Sequence, residues 1–222
     1  MWKAWAERLA EQVKVLGCGD PDVISAIREI PRHRFIEVLR EGAEEGDRRA
    51  LEQAYGDFPF PIGFGQTVSQ PSMVARMTHL LSVRSGIRVL EVGSGCGYQC
   101  AVLGRMGCVV TGVERIGRLV DWSRRVLGEL GLSVEVVHGD GLDPSLGLGR
   151  FPRVLISAAC SKEDVERAFG GLLSDPGILV APVDVGGGMQ RVLVVNLEGG
   201  ERGERWEDLC RFVPLVGGLA KD

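Results

Sequence analysis

The residues best suited to chemistry fall in three short stretches. In "VLEVGSGCGYQ" an apolar segment runs into Gly93, Gly95 and Gly97, with Glu91 inside the motif. Glycines so spaced let a backbone turn tightly and approach a ligand, while the amides of a following helix point into the gap. Glu114 ends the next apolar run, and Asp140 and Gly141 stand in "HGDG" after the third. At the carboxyl edge of a sheet, one carboxylate can accept both hydroxyls of a ribose and another can take the amino group of an adenine. The spacing is GxGxG and departs from the GxGxxG of dinucleotide turns. Carboxylates around such a loop would also repel a pyrophosphate and attract a cation. A tight strand-to-helix turn with no ligand remains the bland alternative.

The third stretch, "GFGQTVSQP", sets Gln66, Thr67, Ser69 and Gln70 between glycines and Pro71, directly ahead of the helical "SMVARMTHLL". Ser69 has two readings on residue physics alone. Its hydroxyl could orient a bound anion, or it could cap the helix that Pro71 begins. His33, in "IPRHRF", is expected to be structural.

The elements that must position these residues are written in periodicity. From about Ser85, short β-branched runs ("IRVLEVG", "CVVTGVE", "VEVVHGD", "RVLISAA", "GILVAPV", then "RVLVVNLE" and "CRFVPLVG") alternate with helical stretches. This predicts an α/β, doubly wound, mostly parallel sheet. Leu119, Val120, Trp122, Val126, Leu127 and Leu130 recur at helical spacing, and Gly131 closes that helix. Residues 1–80 read as helices joined by loops, with Asp20 and Pro21 as an N-cap and first-turn pair. The charged "EVLREGAEEGDRRALEQ" within them reads as a solvated helix or loop. One domain over 1–222 is expected: an N-terminal helical and substrate-loop region over 1–80 and a Rossmann-like α/β core over 81–222.

Bulk properties narrow the function classes. With 222 residues, 45% hydrophobic and 25% charged, the chain can bury a full-sized core. No apolar run reaches the roughly 18 residues of a membrane span, and charges interrupt "MWKAWAERLAEQV" where a signal peptide would be apolar. A cytoplasmic location, no membrane partner and a monomer are expected. A net charge of −4 argues against a nucleic-acid partner. Cys18, Cys96, Cys100, Cys108, Cys160 and Cys210 form no zinc-ligand spacing, so no metal is expected. They read as small hydrophobes, with a disulfide left open.

Taken together, "AYGDFPFPIGFGQTVSQPSMVARMTHLL", "VLEVGSGCGYQCAVL", "VERIGRLV", "GDG" and "RFVPLVGG" resemble the protein-L-isoaspartate O-methyltransferase family, from about Asp22 to Gly217. The E-x-G-x-G-x-G motif is typical of S-adenosylmethionine-dependent methyltransferases. The resemblance implies that S-adenosylmethionine binds at Glu91, Gly93, Gly95, Gly97, Glu114, Asp140 and Gly141. It further implies methyl transfer to the free α-carboxylate of isoaspartyl residues in peptides and proteins. The ester then collapses to a succinimide that can reopen as normal aspartate. By the same match Ser69 is the active-site residue, Thr67 and the Val68 backbone line the substrate groove, and Val213 in "FVPL" bonds the peptide backbone.

A carboxylate, which ordinarily titrates near pH ~3.9, is already ionised at neutral pH. It needs in-line geometry and a dry pocket rather than a general base.

Departures from the family pattern are local. Arg153 stands where the fourth strand usually opens with aspartate, and "SAACSKEDVERAF" lacks the usual proline. The connection between Phe35 and Ala54 looks longer than usual, and "FIE" replaces "FVP". The alternative is a divergent S-adenosylmethionine-binding protein that methylates another carboxylate or serves as a binding module.

Overall fold

A computed structural model describes residues 2–36 and 52–220 of the chain. The charged stretch at 37–53, but for Glu52 and Gln53, lies outside them, as does most of the long connection before Ala54. The core is a seven-stranded sheet in the order β5-β4-β3-β6-β7-β8-β9. Its strands are β3 (Arg88–Val92), β4 (Val109–Glu114), β5 (Val134–His138), β6 (Phe151–Ile156), β7 (Leu173–Gly186), β8 (Met189–Glu198) and β9 (Glu201–Cys210). The pairings from β5 through β7 are parallel and those of β7–β8 and β8–β9 antiparallel.

Strand alternation sorts the core into two faces. Leu90, Val92, Val113, Val154 and Ile156 pack in one cluster with Val165 and Ala168 of α6 (Lys162–Leu172). Val89, Val110, Leu155 and Val180 pack on the other face with Met77 and Leu80 of α3 (Pro71–Leu80) and Cys100 and Leu103 of α4 (Tyr98–Arg105). α5 (Gly117–Glu129) buries Leu119, Val120, Val126 and Leu127, and Gly131 follows it at φ 66°. The expected helix and its closing glycine are both present. Outside lie α1 (Trp2–Val15), which buries Trp5, Leu9 and Val13, and α2 (Pro21–Glu29). Asp20 caps α2 as expected, accepting from the amides of Asp22 and Val23.

Two expectations need correction. The N-terminal region is not helices and loops alone, because β1 (Phe60–Gly63) and β2 (Gln66–Val68) form an antiparallel hairpin. Its turn is permitted by positive φ at Gly63, Phe64 and Gly65. The last strand is not "CRFVPLVG": β9 ends at Cys210, and the next residues run irregularly, with one bridge from Pro214 to Ala159. β9 is an edge strand whose side chains are mostly exposed. Its residues are therefore written in charges, and Arg202 covers Phe169 and pairs with Glu166.

The foot of the sheet explains one departure. Arg153 donates to the Ser82 carbonyl just past α3, and Arg150 to the Leu173 carbonyl just past α6. Both cations serve the carbonyl ends of helices, where positive charge is favoured. All six cysteines are free thiols, and every one except Cys210 is buried.

Candidate functional site

The carboxyl edge of β3, β4 and β6 faces the β1–β2 hairpin across a cleft of two adjoining lobes. The inner lobe, a cavity of about 40 Å³, is lined by Thr67, Val68, Ser69, Glu91, Ser94, Tyr98 and Phe212, among others. The outer lobe, a cavity of about 60 Å³, is lined by Gln66, Glu114, Arg115 and Val213 through Val216. Ile62, Thr67, Gly93, Gly95 and Ser157 line both. The fold thus gathers the glycine loop, two of the expected carboxylates, the polar hairpin and Val213 around one space.

The glycine loop is held by its own neighbours. Glu114 accepts from the Gly95 amide (2.8 Å) and, through its other oxygen, from the Ile116 amide (3.0 Å). A carboxylate at the end of β4 thereby fixes the turn after β3. Gly95 itself has φ 55°, and a Cβ there would stand 3.1 Å from Ile62 of β1. Gly97 has a different reason to be glycine: a Cβ would meet Ser123 and Leu127 of α5, so this position sets the approach of α4 to α5.

Glu91 is 1% exposed. Ser157 Oγ donates to one of its oxygens (2.8 Å) and Cys100 Sγ to the other (2.9 Å). Burial raises its pKa to about 7 against the pull of those two donors, with the Glu114 charge adding to the rise. The same burial pushes Cys96 and Tyr98 up to about 12, so neither supplies an anion at neutral pH. The buried Ser94 Oγ and Tyr98 hydroxyl have no partner among the described residues.

Asp140 lies beyond β5 and is engaged twice, by the amide of Leu142 (3.0 Å) and that of Gly218 (2.8 Å). The segment carrying Gly218 crosses the site. Ala159 donates to the Val213 carbonyl, Leu215 to the Ala159 carbonyl, and Arg115 Nε to the Gly218 carbonyl. A Cβ on Gly141 would sit 2.7 Å from Val92, which makes its glycine a packing requirement. Neither Asp140 nor Gly141 lines the two lobes.

The polar hairpin resolves one ambiguity. Helix α3 takes Gln70 as its N-cap residue with no side-chain cap bond. Its exposed first amide, that of Ser72, is taken instead by Asp57 Oδ1 (2.7 Å), while Ser72 Oγ donates to Oδ2 (2.7 Å). Ser69 is therefore not the cap. Its hydroxyl and that of Thr67 make no hydrogen bond among the described residues, and both residues line the inner lobe. His33 is packed away from this space, between Trp2 and Tyr55, sharing a 2.7 Å hydrogen bond with the Tyr55 hydroxyl. Burial lowers its pKa to about 4.

Sequence reasoning missed Ser157, Ser94 and Asp57. Ser157 directly follows β6, so its place at a parallel strand's carboxyl end was an available signal. Asp57 gave none, since its partner lies in another element.

The residues present suit a cationic adenosyl cofactor: glycine backbone open to close approach, buried carboxylates beside it, and hydroxyls without partners among the described residues. Comparison with known proteins agrees. The model of the protein-L-isoaspartate(D-aspartate) O-methyltransferase family matches residues 4–220. A protein-L-isoaspartate O-methyltransferase of Alcanivorax borkumensis is 41% identical over 97% of this chain and 93% of its own. That of Stenotrophomonas maltophilia is 38% identical over 96% and 89%. Among solved structures, a protein-L-isoaspartate O-methyltransferase superposes with a TM-score of 0.79 at 24% identity, over 96% of this chain and 67% of that one. A Plasmodium falciparum structure of the same description, in complex with S-adenosyl-L-homocysteine, gives 0.71 at 22%, over 95% and 98%. At those identities the superpositions speak to fold alone. Sequence match along nearly the whole length carries the conclusion: this chain is a member of the protein-L-isoaspartate(D-aspartate) O-methyltransferase family.

Proposed function

We infer that the protein transfers a methyl group from S-adenosylmethionine to the free carboxylate of isoaspartyl residues in peptides and proteins, the step that starts their repair. The observation that carries the site reading is the pair of hydroxyls without partners among the described residues, on Ser69 and Thr67, which line the same cleft as the glycine loop. When bound, the cofactor supplies a methyl group on a positively charged sulfur. Gly93 and Gly95 with the Glu114 carboxylate cradle it, Gly97 lets the loop close onto α5, and Glu91, when ionised, places negative charge beneath the loop. Asp140 and Gly141 border the adenine side in this reading.

Ser69 Oγ, with Thr67 beside it, donates to one carboxylate oxygen and leaves the other aimed at the methyl carbon. That oxygen is already ionised, so it would need no general base to take the methyl group the cofactor would supply. The Val68 backbone and Val213 hold the peptide on either side, and Phe212 and Ile62 keep water from the reacting atoms. The monomer is taken as the acting unit in this reading.

The test compares methanol release from an isoaspartyl peptide and from the same peptide carrying ordinary aspartate. Release from the isoaspartyl form alone is expected. Equal release, or none with cofactor bound, would replace this reading with that of a divergent methyltransferase or a binding module.

A further inference from the structure

Arg32 opens the short 3-10 turn Arg32–Phe35 and is fully buried, at 0% exposure. A buried cation costs several kcal/mol unless it is compensated, yet among the described residues no carboxylate makes a contact ion pair with it, and Asp57 acts on it only from longer range. Its fork is spent on backbone carbonyls. Nη1 donates to Ala54 O (2.5 Å), and Nη2 to Phe58 O (3.1 Å) and Ser69 O (3.3 Å). Its guanidinium carbon lies 5.6 Å from the ring centre of Tyr98, which lines the inner lobe, and Nε has no partner among the described residues.

An apolar side chain would fill such a core position at lower cost. A fixed positive charge bonded to the carbonyl of the residue whose hydroxyl faces the cleft does two things an apolar group cannot. It fixes where the Ser69 backbone sits, and its field favours an anion in the adjoining low-dielectric space. The other side of the same loop is held by Asp57 through Ser72.

We propose that Arg32 is a positioning residue for methyl transfer, which holds Ser69 by its carbonyl and favours the substrate carboxylate in the inner lobe. The proposal rests on the reading of Ser69 given above.

The test is a double-mutant cycle on the full chain, with Arg32→Lys, Ser69→Ala and both together. It reads kcat and KM on an isoaspartyl peptide, the Kd of S-adenosylhomocysteine and the melting temperature. Arg32→Lys keeps the charge but cannot span three carbonyls. It is expected to lower kcat/KM about tenfold, to leave cofactor affinity within about twofold, and to have little further effect once Ser69 is alanine. Arg32→Gln, which also loses the charge, is expected to lose more and to show it as a higher KM.

A silent Ser69→Ala overturns the reading of Ser69. A silent Arg32→Lys beside a slow Ser69→Ala overturns only the role of Arg32. That role also falls if the two losses multiply, or if cofactor affinity drops in step with turnover. Failure of both Arg32 variants to fold would make Arg32 a staple of the fold and overturn the proposal as well.

Discussion

The two halves of the cleft are built on opposite plans. On the side proposed for the cofactor the key carboxylates are already engaged: Glu114 by two amides of its own chain and Glu91 by a serine and a thiol. On the substrate side the backbone is braced, by Arg32 and Asp57, while the hydroxyls of Thr67 and Ser69 are left without partners among the described residues. Preorganised acceptors suit a ligand of fixed shape. Held backbone with unspent donors suits a carboxylate presented on many different peptides, because only the reacting group need be recognised in detail.

Four substitutions probe that contrast, from the largest expected effect to the smallest. Gly95→Val places a branched side chain at a positive φ and into contact with Ile62. Calorimetry with S-adenosylhomocysteine should detect no binding, and parental affinity would show that the cofactor does not use this loop. Glu114→Gln leaves one of the two amides facing an NH2 group and removes the charge. Cofactor affinity should fall roughly ten- to hundredfold while turnover at saturation changes little. Collapsed turnover with normal affinity would move Glu114 to the substrate side of the comparison.

Ser69→Ala should lower turnover about ten- to hundredfold through loss of one hydrogen bond to a charged group. Because Asp57 supplies the cap, melting temperature should not move. A fall in melting temperature with the rate per folded molecule unchanged would make Ser69 structural after all.

The fourth concerns pH. Glu91 has a folded pKa raised to about 7 from 4.5, so its burial destabilises the protein progressively as pH climbs from the lower value to the higher. Across that window the folded state holds a proton that the unfolded chain has lost. Glu91→Gln should flatten this part of the stability curve. In the parent, affinity for the cationic cofactor should rise about tenfold between about pH 6 and pH 8 as Glu91 ionises, and the variant should lack this rise. A matching pH profile in both proteins would remove Glu91 from the cofactor side.

Legibility in the sequence follows the range of the interactions concerned. The glycine turn, Glu114 at a strand end, the α5 stripe and the Asp20 cap each express a rule operating within a few residues, so they can be read directly. The β1–β2 hairpin is too short for a periodic signal and turns on a phenylalanine, Phe64, at positive φ. β9 hides because an exposed edge strand alternates charge with charge. Arg32 and Asp57 were invisible for another reason: their partners at Ala54, Phe58, Ser69 and Ser72 lie in other elements and mostly offer only backbone, which carries no residue signature.

The segment from Val213 to Gly218 has a practical consequence. It touches Ala159 at one end and Asp140 and Arg115 at the other, so in the proposed reading a single short ribbon would wall both ligands at once. A cut between Phe212 and Val213 would strip the edge proposed to bind the peptide and release the Asp140 carboxylate in one event, while the sheet and its two hydrophobic faces stay whole. Limited proteolysis there should yield a folded but inactive protein, and a bound cofactor, by holding the ribbon down, should slow the cut.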